Sequence, residues 1–243
     1  MSATVASLHI IGSREMGGAE RFFLRFVDAL AAAGSSVEAT VRTGSELSRL
    51  SARHVAFSQL PMRTVWDPLS RWQVTHHAQR SAAPIVQTYM GRATRLLHLP
   101  MGRGKVHLSR LGGYYKLAPF LHAHGWIGNT RGLCDWMIGH GLPTARVHYI
   151  TNFVDAPRAV AAAEIAQLRM RIDARDDDWL LLHPARFVRV KGHDVLLDAF
   201  AKLPERIDGR RPRLILLGDG GLADALKAQA RALAIDERIV WAG

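Results

Sequence analysis

Ala185-Arg186-Phe187-Val188-Arg189-Val190-Lys191-Gly192-His193-Asp194 follows an apolar run at 179–183 and opens a helical pattern at 193–203. A strand running into a basic loop and then a helix is the unit from which parallel α/β sheets are built, and ligands of such sheets sit at the carboxyl ends of the strands. The N-terminus of the following helix favours an anion there. Arg186 and Lys191 stand five residues apart on this loop, a spacing that lets them clamp adjacent phosphates. The guanidinium forks across two oxygens and the ammonium acts as a point charge. Charge neutralised on a departing diphosphate lowers a barrier as well as binding the ligand. A solvated basic loop is the plain alternative, and Arg189 has no specific claim.

Working outward, the same grammar repeats. Downstream come a strand at 213–217, the turn Gly218-Asp219-Gly220, a helix at 222–234 and a strand at 238–241. Upstream, residues 3–11 read as a buried strand, 12–18 as a loop and 19–33 as a helix with Phe22, Phe23, Phe26, Val27 and Leu30 on one face. Strands follow at 37–42, 54–60, 84–90, 106–111, 126–129 and 147–150, with helices at 67–80 and from Thr130 to His140. Strand and helix alternate on both sides of a Pro-containing turn and an acidic run, which predicts two parallel-sheet domains: 1–155, a linker at 156–175, and 176–243. The second shows about three strands where such sheets usually have five or more, so it is expected to be incomplete in this chain.

Composition bounds the class. The 243 residues are 48% hydrophobic and 22% charged, which suits a folded protein and argues against disorder. One cysteine, Cys134, excludes an intrachain disulfide and points to a reducing compartment. With no cationic leader and no apolar run of membrane length, a cytoplasmic location is expected. The net charge of +11 is uneven: residues 42–116 hold twelve Arg or Lys against two acidic residues, while 161–243 hold fourteen against thirteen. A basic N-terminal half could face anionic lipid, an acidic glycan or nucleic acid, or could simply be solvated.

Gly17-Gly18 lies between the first strand and first helix, where glycine lets backbone approach a ligand and aims free N–H groups at an anion. A tight turn is the simpler account. The loop does not fit G-x-G-x-x-G, so a nicotinamide cofactor is not favoured. Asp176-x-Asp178 formally fits a metal pair but reads as a solvated turn, and Gly112-Gly113-Tyr114-Tyr115-Lys116, with flexible backbone, aromatic rings and charge, suits a ligand as well as it suits an ordinary loop.

Four motifs in order carry a resemblance: G-G-A-E-R at 17–21, N-x-V-D at 152–155, A-R-F-x-x-x-K-G-H-D-x-L-L-x-A-F at 185–200 and L-x-L-L-G-D-G at 214–220. Together they resemble the retaining glycosyltransferases of GT-B fold, the nucleotide-sugar-dependent group of bacterial mannosyl-, glucosyl- and galactosyltransferases. The resemblance implies two Rossmann-like domains, the N-terminal one on the acceptor side and the C-terminal one holding the donor. It implies a sugar moved from a nucleotide diphosphate sugar to an envelope glycan or lipid-linked acceptor. The basic charge adds peripheral contact with an anionic membrane as an expected partner, and no nucleic-acid partner is expected. Carried over, Arg186 and Lys191 match the catalytic diphosphate clamp; Gly17 and Gly18 match the glycine loop near donor phosphates and acceptor; Gly218, Asp219 and Gly220 match a loop near the nucleotide. No metal cofactor is implied, since two cations do that work.

The chain departs from the pattern twice. Where many members carry a histidine after a first-domain strand, residues 86–92 read V-Q-T-Y-M-G-R, leaving Tyr89 and Arg92 as substitutes in acceptor binding. The family's paired glutamates, expected beyond 238–241, are not in this chain. A non-catalytic remnant or partner subunit, and a basic nucleic-acid-binding protein, are therefore the alternatives carried forward.

Overall fold

A computed structural model describes residues 5–243, which part into two compact units, one ending at Ala156 and the other beginning at Pro157. The first is built on a seven-stranded, wholly parallel sheet. Its strands are β1 (Ser7–Ile11), β2 (Val37–Arg42), β3 (Phe57–Leu60), β4 (Ile85–Tyr89), β5 (Val106–Leu111), β6 (Gly125–Gly128) and β7 (Val147–Tyr149), in the order β3-β2-β1-β4-β5-β6-β7. The order reverses between β1 and β4, the crevice where open α/β sheets hold ligands.

Helices α1 (Gly18–Ala32), α2 (Pro68–Arg80), α3 (Met90–Leu96) and α4 (Arg131–Gly139) connect these strands. One core joins Leu8 and Ile10 to Val74 and Ala78 of α2 and Ala93 and Leu96 of α3. A separate one joins Ile11 and Val41 to Phe22, Phe23 and Val27 of α1. Alternate residues of β1 thus feed opposite layers, as the pleat requires. Helix starts follow local chemistry. Asp67 caps α2 by accepting from the amides of Leu69 and Ser70, and Thr130 caps α4 by accepting from Leu133. Gly17 precedes α1, and Glu20 three residues on accepts from the Gly17 amide, the reciprocal arm of a capping box.

In the second unit α5 (Ala162–Arg171) precedes a parallel sheet ordered β10-β9-β8, formed by β8 (Asp178–Pro184), β9 (Arg211–Leu217) and β10 (Ile239–Trp241), with α6 (His193–Ala201) and α7 (Ala223–Ala232). Phe187, Leu197, Phe200, Leu214, Leu216, Leu226 and Ile239 make its core. Asp178 corrects an expectation: it is buried, not part of a solvated turn. Burial alone would raise its pKa, yet Arg211 at 2.9 Å and Arg213 at 3.4 Å hold it down to about 2. Residues 152–155 are anchored within the first unit. Arg110 donates to Asn152 Oδ1 at 2.9 Å, Phe153 packs edge-on against Phe22, and Asp155 pairs with Arg25 at 3.3 Å. Among the described residues no helix is long and apolar enough to cross a membrane.

Candidate functional site

The second unit brings its two predicted loops into one structure. Beyond β8 and β9 the backbone pairing continues: Ala185 donates to the Leu217 carbonyl at 3.0 Å, Phe187 to that of Asp219 at 2.8 Å, and Leu222 to that of Phe187 at 3.2 Å. The Gly218–Gly220 turn is therefore zipped to the basic loop. Gly218 and Gly220 both sit at φ +155°, and a Cβ would meet the Ala185 oxygen at 2.2 Å and the Phe187 oxygen at 2.6 Å respectively. Only glycine permits this approach. Asp219 spends one carboxylate oxygen on the Gly220 amide at 2.7 Å.

Arg186 and Lys191 are exposed on this platform, and neither side chain takes a hydrogen-bond or ion-pair partner among the described residues. Two unpaired cations beside the start of a nine-residue helix, α6, can hold a diphosphate. Beneath them lies a residue the sequence reading passed over. His193 is buried, its two ring nitrogens unpartnered, with the His183 ring edge-on at 4.7 Å and Phe187 at 4.9 Å. Burial, and then the neighbouring His183, lower its pKa. The K-G-H run places this histidine at the first turn of α6, which is the signal that could have marked it.

In the first unit the glycine loop makes internal hydrogen bonds. The Gly17 amide donates to Glu20 Oε2 at 2.9 Å and the Met16 amide to Glu46 Oε2 at 3.0 Å, so two amide donors at this loop are held by the protein's own carboxylates. Gly18 is exposed at the first turn of α1. Tyr89 is displaced from its expected role beside an acceptor. Its ring is buried edge-on to Phe23 at 5.1 Å, and its hydroxyl lies 3.1 Å from His9 Nδ1. It belongs to the core because β4 is central and covered on both faces.

Arg92 does reach an opening. Met90, at φ +63°, turns the chain sharply off β4, and Met90, Gly91, Arg92, Arg95, Tyr115, Lys116 and their neighbours line a cavity of about 370 Å³. A second groove of about 640 Å³ lined by Trp66, Arg71, Trp72, His76, Gln79 and His98 shares Val65 with it. Arg42 and Arg92 both donate to the Arg63 carbonyl, at 3.3 and 2.6 Å. Burial, then the charges of Arg92 and Arg14, lower the Arg42 pKa; burial, then Arg14, lower that of Arg92. None of the ion pairs among the described residues involves Arg14, Arg42, Arg92, Arg95 or Lys116. Arg14 and Arg42 escaped the sequence reading because they end different strand-loop units and meet only in the folded sheet.

Residues 164–243 match the family model of the glycosyl transferases group 1. A curated relative, the lipopolysaccharide core biosynthesis glycosyltransferase LpsE of Rhizobium meliloti, is 31% identical over 233 residues. The alignment covers 93% of this chain and 64% of that protein, so the chain spans somewhat less than two thirds of the relative's length. Among solved structures, a glycosyltransferase from Rickettsia africae superposes with a TM-score of 0.78 at 15% identity, over 98% of this chain and 67% of that one. HepE from Anabaena, solved with UDP and glucose, gives 0.73 at 16% identity over 97% and 68%. Likeness at these identities carries the fold alone, which is GT-B-like.

Proposed function

From a chain whose residues 164–243 form a group 1 glycosyl transferase domain, we propose an enzyme that moves a sugar from a nucleotide diphosphate sugar to an envelope glycan or lipid-linked acceptor, with retention of configuration. The observation that carries it is the pair of exposed, unpaired cations, Arg186 and Lys191, on a loop zipped to the Gly218–Gly220 turn. LpsE, a relative over nearly the whole chain, is named for lipopolysaccharide core synthesis, and HepE was solved with UDP and glucose; both support this substrate class.

In this reading the bond between the sugar's anomeric carbon and the diphosphate oxygen breaks as the acceptor oxygen bonds to the same face. The acceptor proton passes to a departing phosphate oxygen, so no enzymic base is required. Arg186 and Lys191 neutralise the charge that grows on that diphosphate, in the place a divalent ion would otherwise hold. The Gly218–Gly220 turn lies against the nucleotide, and the first unit, through Gly18 and the cavity at Arg92, faces the acceptor. The protein works at the inner face of the cytoplasmic membrane, in peripheral contact with anionic headgroups.

The test is turnover by the full chain with a panel of UDP-, GDP- and ADP-sugars in EDTA. Release of nucleoside diphosphate from one donor is expected, and no hydrolysis or transfer with any donor would sink the enzymic reading in favour of a non-catalytic partner.

A further inference from the structure

The cavity at the carboxyl end of β4 and the groove along α2 form one track with an unusual charge. Arg92, Arg95 and Lys116 line the cavity, Arg71 lines the groove, and none of the side chains lining either is a carboxylate. Arg42 and Arg92 converge on one carbonyl behind the cavity wall. Glu20, whose charge acts on Tyr115, has an oxygen committed to the Gly17 amide. Cations gathered without counter-charges repel one another, and an arriving anion relieves that repulsion.

The groove adds flat apolar surface. Trp66 and Trp72 are 83% and 60% exposed, and Trp72 stacks on His76 with ring centroids 5.1 Å apart and planes 7° apart. The Arg95 guanidinium lies over the Trp66 ring at 5.8 Å, joining groove to cavity. A concave wall of indole faces edged by Arg71, Gln79 and His98 offers a pyranose ring both apolar contact and hydrogen-bond partners.

We propose that this track binds an anionic glycan: a phosphate or carboxylate of the acceptor sits among Arg92, Arg95 and Lys116, and a neighbouring sugar ring lies against Trp66 and Trp72. The proposal rests on the acceptor-side role of the first unit stated above, and names the acceptor's chemical class. A lipid surface fits this track less well, because the indoles wall a concavity. Leu69, the exposed apolar residue an inserting α2 would also use, lies outside the groove lining.

The experiment is tryptophan-fluorescence titration of the full chain, without donor, using hexagalacturonate, a phosphorylated oligomannoside and neutral maltohexaose. Alongside it runs co-sedimentation with phosphatidylglycerol vesicles. At least one anionic oligosaccharide is expected to bind, with maltohexaose about tenfold weaker or silent, and W72A and K116A each weakening binding by about tenfold. L69E, a surface change, should leave it unaltered. Equal binding of neutral and anionic sugars, failure of both anionic probes, or vesicle binding abolished by L69E without an oligosaccharide response would each overturn the proposal. Donor hydrolysis measured on a separate portion of the same preparation separates the two claims: hydrolysis without glycan binding sinks the track alone, and glycan binding without hydrolysis sinks the transfer reaction alone.

Discussion

Arg186→Ala and Lys191→Ala are each expected to lower turnover of the nucleotide sugar by about 10²–10³-fold, with little change in folding. Both side chains are exposed and unpartnered, so their removal takes away no packing and leaves no buried group unsatisfied. In the proposed reaction their charge acts as the diphosphate departs, and interactions that strengthen in the transition state show in kcat rather than in KM alone. Arg186→Lys should recover less than Lys191→Arg, because a guanidinium forks across two oxygens and an ammonium does not. Stopped-assay kinetics with circular dichroism on the same samples check this. Unchanged kcat/KM in both alanine variants would remove these residues from the site.

The second large effect is acid instability of the first unit between about pH 6.5 and 4. Burial pushes His9 down to about 4. Burial, with His122, His124 and His98 around it, pushes His107 down to about 3. Both are neutral in the fold, held by Tyr89 and Ser7 in one case and Thr88 in the other. In the unfolded chain they titrate near the ordinary value of about 6.5. Above that pH their contribution is fully present. As pH falls below it, the unfolded chain takes up protons that the fold refuses, and stability is lost until the folded pKa values are reached. By pH 4 the loss is on the order of 3 kcal/mol for each histidine, against a total of about 5–15 kcal/mol for a typical domain. The second unit's Asp178 acts in a lower window: its folded value of about 2 means that its contribution survives to about pH 4 and is lost below. Amide exchange of β1, β4 and β5 at pH 7 and pH 4.5 reads the first unit by itself. Equal protection at the two pH values would contradict the account.

Much of the fold is legible in the chain because local chemistry and tertiary packing agree. Asp67 and Thr130 mark helix starts that the structure keeps, and the restart of strand, basic loop and helix after residue 176 becomes the β8–α6 unit. What the chain hides is long-range. Helix α3 escapes prediction because it is seven residues long and begins at Met90 in the left-handed region. The partners of His9 and His107 come from long range: β4 supplies Tyr89 to the first and Thr88 to the second, and His124 lies edge-on to His107. Tyr89 and Arg92 stand three residues apart; the first ends a strand covered on both faces and the second lies beyond the turn, so one is core and the other lines the cavity. Glu20 was legible in principle, since glycine followed three residues on by glutamate matches a capping pattern.

Calorimetric binding of UDP, GDP and ADP beside their monophosphates, in EDTA, tests most directly whether the basic loop is a diphosphate clamp. One diphosphate is expected to bind at least about tenfold more tightly than its monophosphate, with the difference erased in Arg186→Ala and Lys191→Ala. Equal affinity for mono- and diphosphates, or a preference that survives both substitutions, would contradict it.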